Sequence, residues 1–276
     1  MCIGCEPLWS HKDVSGQKEN LVFKAKMAIL SVGQAIFAFL GLYVRPARAG
    51  NFAFIEQFFV AKSVGHPLVL IGNGSDGSYV IPDDLKDIEL CFSPGVGPTS
   101  RFEEEIFDRY GIKSFLIDAS VPFVPSTRTD FFHFEQKFLG AVDFENYISL
   151  DSWVAARTMN DKASDLILQM DIEGHEFASL LACSDETLKK FRIIALEIHF
   201  LDALRLDFFK TVVEQCLRKL DQYFVVCFAR PNDCCGNVTI KGTKFPRVIE
   251  ITLLRKDRVL DNKYDEFQTF KIKNLE

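Results

Sequence analysis

The sequence predicts an α/β domain: a mostly parallel seven-stranded sheet with helices on both faces, preceded by an N-terminal helical extension. Two observations predict it. From about residue 66, short apolar runs alternate with longer mixed stretches, as strands alternate with covering helices in a parallel sheet. The last two runs are joined by a loop with no clear helix, so the sheet is expected to end in a hairpin.

The elements follow in order. Residues 1–20 are polar and read as a loose N-terminus, and residues 21–65 as a hydrophobic helical segment. Within it 27-MAILSVGQAIFAFLGLYV-44 carries no formal charge and is flanked by Lys24, Lys26, Arg45 and Arg48. Its length is at the lower edge for a membrane span. Ser31, Gly33 and Gln34, and the second apolar stretch 52-FAFIEQFFVA-61, favour a helix packed on the domain or lying on a membrane. The α/β domain occupies residues 66–260, and 261–276 form a tail. Its strand candidates are 88-IELCF-92, 114-SFLIDA-119, 131-FFHF-134, 166-LILQM-170, 193-IIALEIH-199, 223-YFVVCFA-229 and 248-VIEITLLR-255. Helices are expected over 101–111, with Ser100 as N-cap and Gly111 as C-terminal cap, and over 176–191 and 203–220.

Composition limits the function. The formal net charge is −6 with no basic run, which argues against a nucleic-acid partner. Several of the eight cysteines lie in apolar runs, and no pair of CxxC motifs has zinc spacing. They read as small buried hydrophobes in a reducing, cytoplasmic compartment, with membrane contact through residues 27–44 as the variant of that reading.

The candidate chemistry lies at strand ends. In 95-GVGPTS-100, Gly95 and Gly97 allow a tight turn and close approach of a ligand. A helix N-terminus follows, and Asp118 ends the next strand about twenty residues on, where nucleotide-type folds hold a ribose diol. A dinucleotide would want a third glycine where Ser100 stands, which disfavours pyrophosphate; S-adenosylmethionine tolerates the looser turn. The fourth strand, expected to be central and buried on both faces, ends in Asp171 and Glu173. The fifth ends in Glu197 and His199 on one face. If these strands are neighbours, the four residues crowd one rim. They would either bind a divalent cation through Asp171, Glu197 and His199 or take a proton from a hydroxyl nucleophile. Glu176 is expected to favour the first turn of the following helix.

These segments, in this order, resemble the FkbM-type methyltransferases over residues 66–256. The resemblance is carried by 72-GNGSDGSYVIP-82, 93-SPGVGPTSRFEEEI-106, 116-LIDAS-120, 132-FHFEQKFLG-140, 148-ISLDSWV-154, 169-QMDIEGHEFASLL-181 and 195-ALEIHF-200. Ser78 and Gln169 depart from the family pattern, where Gly and Lys are usual. The pattern H-x-H-x-N-N is replaced in 228-FARPNDCCGN-237, where Phe228 and Arg230 occupy the histidine positions. The resemblance implies a Rossmann-like class I methyltransferase fold and S-adenosylmethionine-dependent methylation, commonly of a hydroxyl on a sugar, glycan or related metabolite. It implies a cofactor over Ser93, Gly95, Val96 and Gly97, with Phe102 and Glu103 beneath it, Asp118 and Ala119 at the ribose, Phe138 bordering the adenine and Asp171 facing the methionine end. A degenerate methyltransferase fold serving as a binding module is the alternative; a nicotinamide-dependent oxidoreductase is disfavoured by Ser100.

Overall fold

The computed structural model describes residues 24, 28, 29, 31 and 32 and residues 51–260, except 73, 75, 76, 98, 125, 127, 159–164, 233 and 234. The chain divides into two compact units, Met1–Ala47 and Arg48–Glu276. In the first, residues 24, 28, 29, 31 and 32 are helical and exposed; the rest of the expected segment 27–44, the loose N-terminus and the tail lie outside the described residues. Among the described residues no helix is long and apolar enough to cross a membrane.

The second unit opens with helix α1 (Ala53–Phe58). Residues 51–65 were expected to belong with the N-terminal segment. Instead Phe52, Ile55 and Phe58 are buried in the main core of the second unit, because their three-residue spacing puts them on one helical face. A hairpin follows, β1 (Leu68–Ile71) and β2 (Tyr79–Pro82), paired antiparallel.

Next come β3 (Leu90–Pro94), α2 (Arg101–Tyr110), β4 (Lys113–Ile117), β5 (Phe132–Glu135), β6 (Phe138–Gly140), β7 (Tyr147–Ser149) and α3 (Leu150–Arg157). The chain continues through β8 (Leu166–Met170), α4 (Glu176–Ala182), α5 (Asp185–Leu188), β9 (Phe191–Ile198) and α6 (Asp207–Tyr223). It ends with β10 (Phe224–Pro231), β11 (Asn237–Ile240), β12 (Thr243–Pro246) and β13 (Ile249–Arg255).

All seven expected strands form one sheet, in the order β10-β13-β9-β8-β3-β4-β5. Strands β5, β4, β3, β8 and β9 are mutually parallel, and β13 is antiparallel to both β9 and β10. In chain order of the sheet strands this is the class I methyltransferase arrangement. The antiparallel strand inserted before the edge separates it from the all-parallel dinucleotide sheet.

Alternation along the strands builds a core on each face. Phe92, Leu168, Ile194 and Leu196 point to one side, with Trp153 of α3, Leu180 of α4 and Leu217 of α6. Cys91, Ile167, Ile193 and Ala195 point to the other, with Phe102 and Ile106 of α2 and Ile71 and Ile81 of the hairpin. Phe92 sits edge-on to Trp153 at 4.9 Å and to Phe191 at 6.1 Å. Cys91, Cys183, Cys216 and Cys227 are free and buried. Burial pushes the last three thiols up to about 12, leaving them unreactive.

Several helix ends differ from expectation; the helix expected over 203–220 runs from Asp207 to Tyr223. Gly111 caps α2 in the left-handed conformation, its N–H donating to the Phe107 carbonyl. Ser100, however, makes no side-chain cap, and its hydroxyl is buried without a partner. The helix expected over 176–191 is broken at Ser184, which is extended. Its Oγ accepts from Thr187 N to cap α5, and Asp151 takes both its N–H and its hydroxyl. A serine with two such partners starts a new helix in preference to continuing an old one.

Phe92→Ala is expected to destabilise this unit by about 3–5 kcal/mol, because it empties the contact between sheet and α3. Urea unfolding measures it; a loss below about 1 kcal/mol would mean that this layer repacks freely.

Candidate active site

From β3 the chain builds outward through β4 and β5, then returns to add β8 and β9 on the other side. Strand order therefore reverses between β3 and β8, where open α/β sheets bind ligands at the carboxyl ends. The turns leaving these strands touch. Asp171 N donates to the Pro94 carbonyl at 3.3 Å, and Gly95 N to the Ile117 carbonyl at 3.0 Å. Gly95 has φ +85°, and a Cβ there would lie 1.6 Å from the Asp171 carbonyl oxygen. Gly97 has φ +58° with nothing within 4 Å of an added Cβ. One glycine serves chain packing; the other leaves an open surface.

A cleft of about 270 Å³ lies over this junction, its walls including Gly95, Asp118, Lys137, Phe138, Tyr147 and Asp171. Asp118 ties the glycine turn to β4: Val96 N donates to Oδ2 at 3.1 Å, and Ser120 N and Oγ donate to Oδ1 at 2.7 and 2.6 Å. Phe138 and Tyr147 lie with ring centroids 5.4 Å apart, and Tyr147 is 6.3 Å from the His175 ring. Of the residues the resemblance assigned to the cofactor, Gly95, Asp118, Phe138 and Asp171 line the cleft. Gly97 is on the same turn, and Ala119 is half-buried beside Asp118.

Ser93, Val96, Phe102 and Glu103 are turned inward and buried. Val96 packs with Leu116 and Val124, and Phe102 lies edge-on to Tyr79 at 5.8 Å. Ser93 Oγ contacts Glu103 Oε1 and lies 2.6 Å from Gln169 Oε1. One hydroxyl proton cannot satisfy both acceptors. Burial raises the Glu103 carboxyl against the opposing pull of Ser93. Gln169, where the family pattern has Lys, gives this network a neutral end.

At the edge of the cleft, whose lining includes Asp171 and Glu173, these two acids meet Glu197 and His199, because β8 and β9 are adjacent. His199 Nε2 is 3.4 Å from Glu173 and 3.8 Å from both Asp171 and Glu197. Glu197 accepts from Asn232 Nδ2 at 2.8 Å. Arg230 holds both oxygens of Glu250 at 2.8 Å, and Glu250 stands opposite Glu197 in the sheet. Arg230 and Asn232 thus form a polar flank to the cluster. Burial and the charge of Glu197 raise Asp171 to about 7, with His199 opposing. Burial pulls the His199 imidazole down, but the Glu176 hydrogen bond and the charges of Glu176, Asp171 and Glu173 outweigh it and set it at about 9.

One ligand atom each from Asp171, Glu173 and His199 lie within 4.8 Å of one another. Glu173 therefore stands where Glu197 was expected in a cation-binding set.

Lys137, Tyr147 and His175 line the cleft without having been anticipated. They lie on or beside strands of three residues or in a turn, too short for periodicity to expose a face; only their closeness to Phe138 and Asp171 in sequence hinted at them.

The sequence matches no protein-family model and no curated protein. Among solved structures, a precorrin-6y C5,15-methyltransferase from Geobacter metallireducens GS-15 is similar at TM-score 0.34 and 12% identity, over 62% of this chain and 83% of that one. A likeness this loose carries no weight beside the chain's own geometry.

Gly95→Ala is expected to abolish ligand binding in the cleft or to unfold the turn, since a backbone carbonyl occupies the space of the new Cβ. Gly97→Ala should cost only about 1–2 kcal/mol of conformational strain. Thermal unfolding and calorimetric titration of both variants with S-adenosylhomocysteine read the contrast; equal effects would contradict it.

Proposed function

We propose that this chain is an S-adenosylmethionine-dependent methyltransferase acting on a hydroxyl of a sugar, glycan or related small polar metabolite. The observation that carries the reading is the position of Asp171. It is on the wall of a small-molecule cleft at the strand-order switch, its Oδ1 is buried with no hydrogen-bond partner, and it borders a histidine–carboxylate cluster. The strand order, the glycine turn lacking a third glycine, and Asp118 support the choice of cofactor. The cleft fits it in kind: an open turn at Gly97, a carboxylate at Asp118 and an aromatic pair at Phe138 and Tyr147. These residues and Gly95 would hold it.

When bound, S-adenosylmethionine supplies an electrophilic methyl group. The chain then has to align an acceptor hydroxyl and remove its proton. Asp171 faces the cleft, whereas His199 is not among the residues lining it, so Asp171 is the proton acceptor. Its level near 7 suits a base at neutral pH. His199, held near 9, stays cationic there and offsets the surrounding carboxylates. Glu173, with its side chain 83% exposed, is the member that reaches toward an acceptor.

Calorimetric titration should show S-adenosylhomocysteine binding and no NADH binding; the reverse would favour an oxidoreductase, and neither would favour a non-catalytic module. Incubation with methyl-labelled cofactor and a fractionated extract should label a hydroxylated metabolite. Asp171→Asn should lower that labelling about 10²–10⁴-fold while leaving S-adenosylhomocysteine affinity within a few-fold; unchanged labelling removes Asp171 from the mechanism. The rate should rise with pH through about 7, as Asp171 loses its proton, and fall above about 9, as His199 loses its charge. With His199 as the internal cation, chelation of divalent metals should leave the rate unchanged; a rate restored only by added metal would make Asp171, Glu173 and His199 a cation site.

A further inference from the structure

Glu176 was expected to serve only the first turn of its helix. Its surroundings give it another task. The residue is 0% exposed, and one oxygen, Oε1, meets three nitrogens. Ile172 N donates to it at 3.2 Å and Gly174 N at 3.1 Å, and His199 Nδ1 lies 3.1 Å away.

The two amides belong to the turn that carries Asp171 and Glu173, in which Glu173 takes the left-handed conformation at φ 54°. The imidazole comes from the end of the neighbouring strand. An Nδ1 proton donated to Glu176 leaves Nε2 facing Asp171, Glu173 and Glu197. This is the relation by which a buried carboxylate fixes the orientation of an active-site histidine.

We propose that Glu176 is the positioning residue of this site, orienting His199 toward the reactive carboxylates and fixing the turn that presents Asp171. The proposal rests on the methyltransferase reading only for the reaction served; the Glu176–His199 coupling stands without it. Burial gives the arrangement its weight: a polar group out of water needs hydrogen-bond partners. Glu176 finds all of its partners on Oε1, while Oε2 is buried with no hydrogen-bond partner.

The test uses the full chain with ¹⁵N-labelled histidine. The His199 signals are assigned by their loss in His199→Gln. The wild type should show a low-field, exchange-protected Nδ1 proton on His199, and Glu176→Gln should lose it or move it upfield. Absence of that proton in the wild type, or its persistence in the variant, overturns the proposal. Should Glu176→Gln not fold, the wild-type signal alone decides.

Labelling of the extract fraction gives the second arm. Glu176→Gln should lower kcat at least 10-fold with less than 3-fold change in KM and in S-adenosylhomocysteine affinity. Added to His199→Gln, it should cost less than 2-fold more, because coupled residues do not add. Multiplied losses, or loss of S-adenosylhomocysteine affinity in step with kcat, would show a structural role only. If the wild type binds no S-adenosylhomocysteine and labels nothing, the cofactor reading fails, and the Nδ1 proton still decides on Glu176.

Discussion

The site depends on the place where two chain turns share the same space. Gly95 lies against the carbonyl of Asp171 so closely that no side chain fits between them, and the Asp171 amide is bonded to Pro94. Direct pairing of β3 with β8 runs from Leu90↔Leu166 to Phe92↔Leu168; this contact extends the junction into the loops. The glycine turn, Asp118 through Val96 N, and the acid-bearing turn therefore form one rigid piece. Beneath it the strands are buried on both faces, and a close-packed interior transmits any displacement. The glycine turn and the acid rim cannot shift independently.

Charge is the second constraint. Asp171, Glu173, Glu176 and Glu197 all lie within 4 Å of His199. Carboxylates this close repel one another in a low dielectric. The chain answers in three ways. A histidine cation stands among them; Asn232 takes a proton-donor position at Glu197; and Arg230 neutralises Glu250 alongside. What is left over falls on Asp171, whose raised level is the residue of that repulsion and of burial. Left-handed Glu173 and Phe200, at φ 54° and 59°, stand at the two strand exits where this strain is concentrated.

The sheet was legible in the sequence because each of its strands is an apolar run bounded by polar segments, and β8 and β9 are buried along their whole length. Strand ends are also where Gly95, Asp118, Asp171 and His199 lie, so they could be read once the strands were placed. The far wall of the cleft could not. Phe138 was reached through family resemblance, and Lys137 and Tyr147 not at all, since three-residue strands have no period. Ser93, Phe102 and Glu103 share a motif with the glycine turn, yet alternation and helical phase turn them into the core. The break at Ser184 depends on Asp151, a partner distant in sequence, which local propensity does not reveal.

Three acids in 171-DIEGHE-176 end in three environments, and the backbone explains why. In a continuing strand, residues two apart would share a face, and Asp171 and Glu173 would point the same way. Left-handed Glu173 ends the alternation immediately after the strand; both acids border the cleft, but the Asp171 side chain is mostly covered while that of Glu173 is 83% exposed. The chain then enters α4 within one turn. Glu176, in the first turn of that helix, reaches back over the amides of Ile172 and Gly174 and across to His199. A carboxylate in that place does locally what a helix-end acid always does, accepting free amides. Here one of its acceptors also serves the neighbouring strand. The turn thereby links Asp171 in the cleft to His199 through a buried group that does not itself line the cleft.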